Sequence, residues 1–223
     1  MHIGVIPDGN RRYARSQDIG KMKAYEEAKD TIKQLTDSLE DLSDDIEALS
    51  FYLLSEENFR RTDEELEGLF QLLEENIENM AEFFDDRDFK VNWAATRPEA
   101  LPERLQEKLE NIEQRFDEGD THVNLLISYS GKQDILQASQ EVSDNGGKFT
   151  EDNLPKHLQV GTEIDFVIRT GDNPDRECIS GFPIWNSAYA EYFHIKKNFP
   201  AVTAEDVEEA FNHYNKLRKK RGE

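Results

Sequence analysis

Short apolar runs alternate with longer amphipathic, acidic segments along the 223-residue chain, and this alternation constrains the fold more than any other feature. The apolar runs predict β-strands at residues 2–6, 47–53, 89–94, 122–128 and 164–168. The segments between them predict helices at about residues 11–17, 23–41, 63–84, 99–117, 131–143 and 203–220. This order favours an α/β fold with a largely parallel sheet covered by helices.

The segment at 63–84 illustrates the helical pattern. Its apolar residues recur at three- and four-residue spacing, as in Leu66, Leu69, Phe70, Leu73, Ile77, Met80, Phe83 and Phe84. Asp63 stands where an N-cap residue belongs. Because the chain contains no internal repeat, low-complexity segment or convincing linker, we expect one domain over residues 1–223.

The charge balance narrows the classes of partner. The chain carries 48 acidic and 27 basic residues, a net charge of -21, and the acids are spread over nearly every predicted helix. Such a surface argues against a general nucleic-acid binder and disfavours electrostatic docking on anionic lipid. One explanation is adaptation to a high-salt cytoplasm, as in a halophilic archaeon, and an ordinary acidic protein is the alternative.

The cysteine content and the lengths of the apolar stretches indicate the cellular compartment. Cys178 is the only cysteine, so neither an intramolecular disulfide nor a cysteine-based zinc site is possible. The N-terminus lacks a charged region followed by an apolar run, and no apolar stretch approaches the length of a membrane span. We therefore expect a soluble, cytoplasmic protein.

The end of the first strand carries the most suggestive local motif. Pro7 stops the strand, and Asp8-Gly9-Asn10 is turn chemistry that leads into a predicted helix. Backbone N–H groups of such a turn bind anions, Arg12 and Arg15 add positive charge, and Asp8 could accept a phosphate-bound divalent cation. The alternative is a plain strand-to-helix connection with solvated arginines. No nucleotide-binding glycine motif is present.

Polar side chains also follow two later strands. Ser55, Asn58 and Arg61 come after the second strand and could hold a phosphate and orient a proton, although a helix cap is the alternative for Ser55. Arg169 ends the last predicted strand and precedes a loop that contains Ser180, where a guanidinium could clamp a diphosphate. Ligands of parallel sheets bind beyond the carboxyl ends of the strands, so these groups are expected near Asp8.

Five blocks in sequence order resemble the motifs of cis-prenyltransferases, the undecaprenyl and polyprenyl diphosphate synthases. Asp8-Gly9-Asn10-Arg11-Arg12-Tyr13-Ala14 is similar to their D-G-N-x-R-W-A signature, and residues 55–61 resemble S-x-E-N-W-x-R. The later blocks are residues 124–135, 168–171 and 179–191. The resemblance spans residues 3 to about 222, and its ordered blocks make it specific.

The resemblance implies a central, mostly parallel six-stranded sheet flanked by helices, a hydrophobic tunnel and a homodimer. It also implies Mg²⁺-dependent condensation of isopentenyl diphosphate with an allylic diphosphate, such as farnesyl or geranylgeranyl diphosphate. The product would be a cis-polyprenyl diphosphate, a lipid-carrier precursor. Contact with a membrane would then be at most peripheral, through the lipid product.

Residue roles follow from the same resemblance. Asp8 would position Mg²⁺ and the leaving diphosphate, and Glu191 would be a second metal carboxylate, acting with the partner subunit's tail. Asn58 would be catalytic, near the reacting carbons and the departing proton. The substrate-binding residues would be Gly9, Asn10, Arg11, Arg12, Tyr13, Lys21, Ser55, Arg61, Arg169, Arg176 and Ser180.

Several positions depart from the family pattern. Lys21 stands where the family carries arginine, and Cys178 replaces the arginine of the R-I-S-N block. Arg176 lies two residues earlier and is the candidate substitute. These departures leave an alternative, a non-catalytic subunit that binds and regulates an active homologue. The intact Asp8-Gly9-Asn10 motif favours the active enzyme.

Overall fold

A six-stranded parallel sheet forms the centre of the computed structural model, which describes residues 1–173 and 178–221. Its strands are β1 (His2–Ile6), β2 (Ala48–Ser55), β3 (Phe89–Ala94), β4 (Thr121–Tyr129), β5 (Phe166–Thr170) and β6 (Glu191–Ile195). They lie in the order β3-β4-β2-β1-β5-β6, and every pairing is parallel. The predicted α/β fold with a central parallel sheet is confirmed.

Helices cover both faces of this sheet. They are α1 (Asn10–Ser16), α2 (Lys21–Leu42), α3 (Asp63–Phe84), α4 (Glu103–Arg115), α5 (Gly131–Asp144) and α6 (Ala204–Arg221). The main core joins one face of the sheet to α2, α3, α4 and α6, whereas α5 packs with a smaller cluster of its own. None of the helices in the described ranges is long and apolar enough to span a membrane.

Strand β1 lies inside the sheet, between β2 and β5, and all five of its residues are buried. The ring of Phe182 lies directly against its backbone: a Cβ added to Gly4 would come within 2.4 Å of the Phe182 ring. Glycine is therefore required there by close packing rather than by backbone conformation. This packing fixes the strand whose end carries Asp8.

The structure differs from the sequence expectations at one strand and at the ends of two other elements. Strand β6 was absent from the predicted strands because an edge strand that begins at a charged residue, Glu191, has no continuous apolar run. Strand β5 is displaced by two residues, so that Arg169 lies within it. Thr62, not Asp63, caps α3, and its hydroxyl accepts from the backbone N–H of Glu65.

Helix α4 also begins later than predicted. A separate 3₁₀ turn occupies Pro98–Ala100, and the helix starts at Glu103, directly after Pro102. The proline disfavours helical conformation at the residue before it, which explains why the two segments do not fuse.

Candidate functional site

A polar cavity of about 480 Å³ lies at the carboxyl ends of the strands. Ten of the residues expected to bind substrate or metal line it: Asp8, Gly9, Asn10, Arg11, Arg12, Ser55, Asn58, Arg61, Arg169 and Ser180. The structure thus brings together side chains from β1, α1, β2 and β5 and from the segments that follow β2 and β5. This is the edge where ligands of parallel sheets bind.

The turn after β1 is held by the neighbouring strand. The Thr170 hydroxyl lies 3.0 Å from the backbone N–H of Asp8, which donates to it, and donates in turn to the Asp8 carbonyl at 2.9 Å. Gly9 caps α1 with a φ of 106°, a conformation that disfavours residues with a side chain. The backbone N–H of Tyr13 donates to the Gly9 carbonyl at 2.8 Å, so the turn leads directly into helix.

Two guanidinium groups meet the Asp8 carboxylate. Arg169 Nη2 donates to Asp8 Oδ2 at 2.7 Å, and Arg12 Nη2 lies 3.3 Å from Asp8 Oδ1. Arg169 is 6% exposed, and the Asp8 carboxylate compensates the cost of burying its charge. The cavity as a whole is lined by six arginines and two acidic residues, and this excess of positive charge favours an anionic ligand.

Three buried polar atoms in this cluster make no hydrogen bond within the described residues: Asn10 Oδ1, Arg12 Nη2 and Arg169 Nε. Buried donors and acceptors are normally satisfied, so unsatisfied ones at a cavity indicate places where a ligand or water belongs. The two arginine atoms are donors and suit the oxygens of a phosphate.

The turn that carries Ser180 is tied to both sides of the site. Arg169 Nη1 donates to Ser180 Oγ at 3.0 Å and also to the carbonyl of Cys178. The Tyr52 hydroxyl lies 3.1 Å from both the Ser180 and the Tyr129 carbonyl oxygens. Burial raises the pKa of Tyr52, so this hydroxyl stays a donor. Sequence reasoning missed Tyr52, whose place in an apolar run gave no signal of this contact.

Ser55 and Asn58 are both part of a local cap and part of the cavity wall. The backbone N–H and the hydroxyl of Ser55 donate to Asn58 Oδ1 at 2.9 and 3.1 Å, closing the 3₁₀ turn at Glu56–Arg60. The capping role considered for Ser55 is therefore present. Both side chains also line the cavity, so the cap fixes their position at the site.

Two of the expected residues point elsewhere. Lys21 Nζ donates to Glu65 Oε1, near the start of α3, at 2.8 Å. Lys21 is not among the residues that line the polar cavity. The Tyr13 hydroxyl donates to Glu27 at 2.7 Å, and this hydrogen bond raises the pKa of Tyr13. Arg176 lies outside the described residues.

Glu191 is also distant from Asp8 within one chain. It begins β6, and the strand register places it level with Phe166 and, one strand further, with Ile3. Strand β1 continues for three residues beyond Ile3, about 10 Å along the strand direction, and Asp8 lies past its end, in a turn where its N–H donates to the Ile6 carbonyl at 3.0 Å. A single chain therefore does not bring these two carboxylates together.

An apolar cavity of about 70 Å³ adjoins the polar one and runs between α2 and α3. The two cavities share Pro7, Asn10, Tyr25, Leu53 and Leu69. Beyond them the apolar cavity is lined by Ala28, Lys29, Ile32, Leu72, Leu73, Asn76, Ile77, Met80 and Phe199. The site thus joins a cationic mouth to an apolar interior.

The carboxylates of the site determine how a metal ion could bind there. Among the described residues, no three His, Cys, Asp or Glu side chains gather where they could hold a metal ion alone. Magnesium, however, is commonly held by one or two carboxylates together with substrate phosphates and waters. Asp8, at the mouth of the cavity, fits that mode of binding.

Comparisons with known proteins agree with this geometry. A family model described as "Putative undecaprenyl diphosphate synthase" matches residues 6–222. An isoprenyl transferase of Campylobacter jejuni is 26% identical over 202 residues, covering 91% of this chain and 89% of that protein. A geranylgeranyl-diphosphate-specific tritrans,polycis-undecaprenyl-diphosphate synthase of Thermoplasma volcanium is 30% identical, covering 99% and 88%.

Solved structures share the fold. Lavandulyl diphosphate synthase from Lavandula x intermedia, in complex with dimethylallyl diphosphate, superposes with a TM-score of 0.86 at 22% identity, covering 96% of this chain and 94% of that one. A probable undecaprenyl diphosphate synthase of Campylobacter jejuni gives a TM-score of 0.81 at 23% identity, with the same coverage. With a family model that matches nearly the whole chain, these findings place the protein in the cis-prenyltransferase family, that of the undecaprenyl diphosphate synthases.

Proposed function

We propose that the protein condenses isopentenyl diphosphate with an allylic prenyl diphosphate to give a cis-polyprenyl diphosphate, the precursor of a lipid carrier. The observation that carries the proposal is the joined pair of cavities. The cationic mouth around Asp8, Arg12 and Arg169 suits a diphosphate, and the apolar cavity between α2 and α3 suits its prenyl chain. In this role the apolar cavity is the start of a hydrophobic tunnel.

The arginines carry the electrostatic part of the reaction. Negative charge grows on the allylic diphosphate as its C–O bond breaks, and the Arg12 and Arg61 guanidinium groups stabilise that charge, with the Gly9 and Asn10 turn beside them. Arg169 and Ser180 hold the isopentenyl diphosphate. Because the Arg12 and Arg169 guanidinium groups are already fixed by hydrogen bonds, little reorganisation is needed when charge develops.

Asn58 and Ser55 lie at the same mouth and serve the proton that the isopentenyl group loses. Their local cap holds them at a fixed distance from the end of β2. Arg11, Tyr13, Lys21 and Arg176 complete the proposed substrate-binding set, with Tyr13 and Lys21 acting after release from their acidic partners, Glu27 and Glu65.

Mg²⁺ is the proposed cofactor, with Asp8 as its protein ligand. When bound, it neutralises charge on the leaving diphosphate. Glu191 would serve as the second carboxylate in a homodimer, acting on the site of the partner subunit together with that subunit's tail, since one chain does not bring it to Asp8.

The allylic primer is proposed to be farnesyl or geranylgeranyl diphosphate. The Thermoplasma relative is named as geranylgeranyl-diphosphate specific, and the apolar cavity provides an entrance for such a chain. We place the enzyme in a high-salt cytoplasm, touching a membrane only through its lipid product. Nothing in the comparisons favours the alternative of a non-catalytic subunit.

The decisive experiment measures incorporation of labelled isopentenyl diphosphate into butanol-extractable product. Purified protein is supplied with Mg²⁺, molar KCl and each primer in turn, and an Asp8→Ala variant is the control. We expect product from the wild-type chain and none from Asp8→Ala. Absence of product from folded wild-type protein with both primers would contradict the proposal and point to a non-catalytic subunit.

The homodimer has its own test, because defects in different chains can complement each other. Asp8→Ala and Glu191→Gln chains are each expected to be inactive. Mixing them creates heterodimers with one intact site, and a statistical mixture should recover about a quarter of the wild-type rate. Failure to recover activity from a mixture shown to exchange subunits would contradict the shared site.

A further inference from the structure

The loop that follows β6 packs directly on the turn that carries Asp8. The backbone N–H of Phe199 donates to the Asp8 carbonyl at 3.0 Å, and the N–H of Gly171 donates to the Lys197 carbonyl at 2.7 Å. Between these two contacts lies Asn198, which is 7% exposed. Its Cα would lie 2.8 Å from a Cβ added to Gly9. The loop therefore forms one wall of the diphosphate-binding turn.

The side chain of Asn198 completes a closed set of hydrogen bonds with two charged residues. Its Nδ2 donates to Asp172 Oδ2 at 2.9 Å, and its Oδ1 lies 3.4 Å from Arg12 Nε, which donates to it. Arg12 Nε also donates to Asp172 Oδ1 at 2.7 Å. Burial works to raise the pKa of Asp172, but the hydrogen bonds from Asn198 and Arg12 outweigh it and hold that pKa below its usual value.

This set of contacts fixes the plane of the Arg12 guanidinium. With Nε held by Asp172 and Asn198, the far end of the group is turned towards Asp8, where Nη2 lies 3.3 Å from the carboxylate. Nη2 is buried and makes no hydrogen bond to any described residue. A planar donor group held on one edge presents its other edge in a defined direction.

We propose that Asn198 is a positioning residue that, with Asp172, aims Arg12 at a bound diphosphate. The inference rests on the proposed function, in which Arg12 binds a diphosphate, and adds a residue outside the recognised motif blocks. Removing Asn198 leaves Arg12 in place but lets its guanidinium rotate, so the loss appears as weaker diphosphate binding.

The test is a double-mutant cycle on binding of inorganic pyrophosphate, measured by calorimetry with Mg²⁺ present. The proteins are wild type, Asn198→Ala, Arg12→Ala and the double variant. We expect Asn198→Ala to weaken binding about five- to tenfold in the wild-type background and to have no further effect when Arg12 is already absent. Thermal unfolding of each protein separates this effect from a loss of stability.

Asp172→Asn provides a second route to the same contacts, at a side chain that is 46% exposed and so does not threaten folding. It should weaken pyrophosphate binding in the wild-type background only. An equal loss from Asn198→Ala in both backgrounds, an unchanged affinity, or no pyrophosphate binding by the wild-type chain would each overturn the inference. Condensation activity is scored separately: pyrophosphate binding without condensation would contradict the proposed function and leave the positioning intact.

Discussion

Arg169 Nη2 lies 2.7 Å from Asp8 Oδ2, and this contact joins two motifs that are 161 residues apart in sequence. The same guanidinium reaches Ser180 through Nη1, so it spans the carboxylate and the turn that follows β5. A planar fork with several donors holds both partners in a fixed geometry, which the compact ammonium of lysine does not reproduce. The contact therefore defines how the proposed diphosphate subsites adjoin.

Replacing Arg169 by lysine should show how much of the diphosphate binding depends on the forked geometry of the guanidinium and how much on its positive charge. We expect Arg169→Lys to weaken inorganic pyrophosphate binding at least about tenfold, because the forked contacts are lost while the positive charge remains. Calorimetry provides the measurement. Arg115→Lys, at a 53% exposed side chain on α4, is the matched control and should bind like wild type. Equal affinities for the two variants would contradict the role of the fork.

Substitution of Gly9 should disturb both the turn and the wall behind it. A Cβ at φ 106° is strained, and it would also lie 2.8 Å from the Asn198 backbone, which cannot rotate away. We expect Gly9→Ala to lower the free energy of unfolding by about 1–3 kcal/mol in denaturant titrations. Gly161→Ala, where an added Cβ has no atom within 4 Å, should leave stability nearly unchanged and serves as the control.

A bulky residue in the apolar cavity should hinder binding of the prenyl chain and leave binding of the diphosphate unchanged. Leu73 lines that cavity but not the polar one. We expect Leu73→Trp to shorten the products or to raise the KM for the allylic substrate, with pyrophosphate binding unchanged. Product chromatography and calorimetry measure the two effects, and Leu136→Trp at an exposed site on α5 is the control. Products of wild-type length and an unchanged KM would argue against the proposed tunnel.

Buried His2 predicts a dependence of stability on pH. Burial lowers its pKa to about 4, against smaller opposing effects of the Glu163 carbonyl and Asp165. In the unfolded chain histidine titrates near its usual 6.5, so the unfolded state binds the extra proton first. Stability is therefore fully present above pH 6.5 and falls as the pH drops towards 4, by about 2 kcal/mol between pH 7 and 5.

The measurement compares denaturant midpoints at these two pH values. His2→Gln, which can retain a hydrogen bond to Ser50 but has no titrating group, should lose most of this difference. His122→Gln, at an exposed position of β4, should retain it. If the His2 variant shows the same pH dependence as wild type, the effect belongs to other groups.

The acidic surface predicts a response to salt. With 48 acidic and 27 basic residues, like charges repel in the folded state, and molar KCl shortens the screening length to about 3 Å. We expect the free energy of unfolding to rise from dilute to molar KCl, as followed by circular dichroism. Stability that stays constant or falls with KCl would argue against adaptation to high salt.

Sequence patterning was sufficient for the parts of the fold that rest on long periodic segments. The apolar residues of α3 recur at helical spacing, and β1 and β2 are short apolar runs. These patterns distinguish a helix from a strand, so both kinds of element were predicted correctly. Patterning failed for β6, whose alternation of apolar and polar residues is weak. It also failed at the end of β5, because Arg169 is a charged residue that is buried only together with its hydrogen-bond partners.

The site was predictable only where a motif carried it. Asp8, Asn58 and Arg169 belong to recognisable blocks, but Asn198 and Tyr52 do not. Their contacts depend on which loops meet at the carboxyl edge of the sheet, and neither periodicity nor turn composition reports which loops these are. No prediction covered the Asn-Phe-Pro segment at residues 198–200, and nothing in its composition indicated contact with Arg12.

The place of β1 between β2 and β5 also determines when the site can exist during synthesis. Asp8 leaves the ribosome before Thr170 and Arg169, which hold it and come more than 160 positions later. An N-terminal fragment that ends before β5 leaves β1 as an unpaired edge of its sheet and has no complete anion site. Such late, non-local pairing slows folding and makes formation of the anion site depend on synthesis of β5.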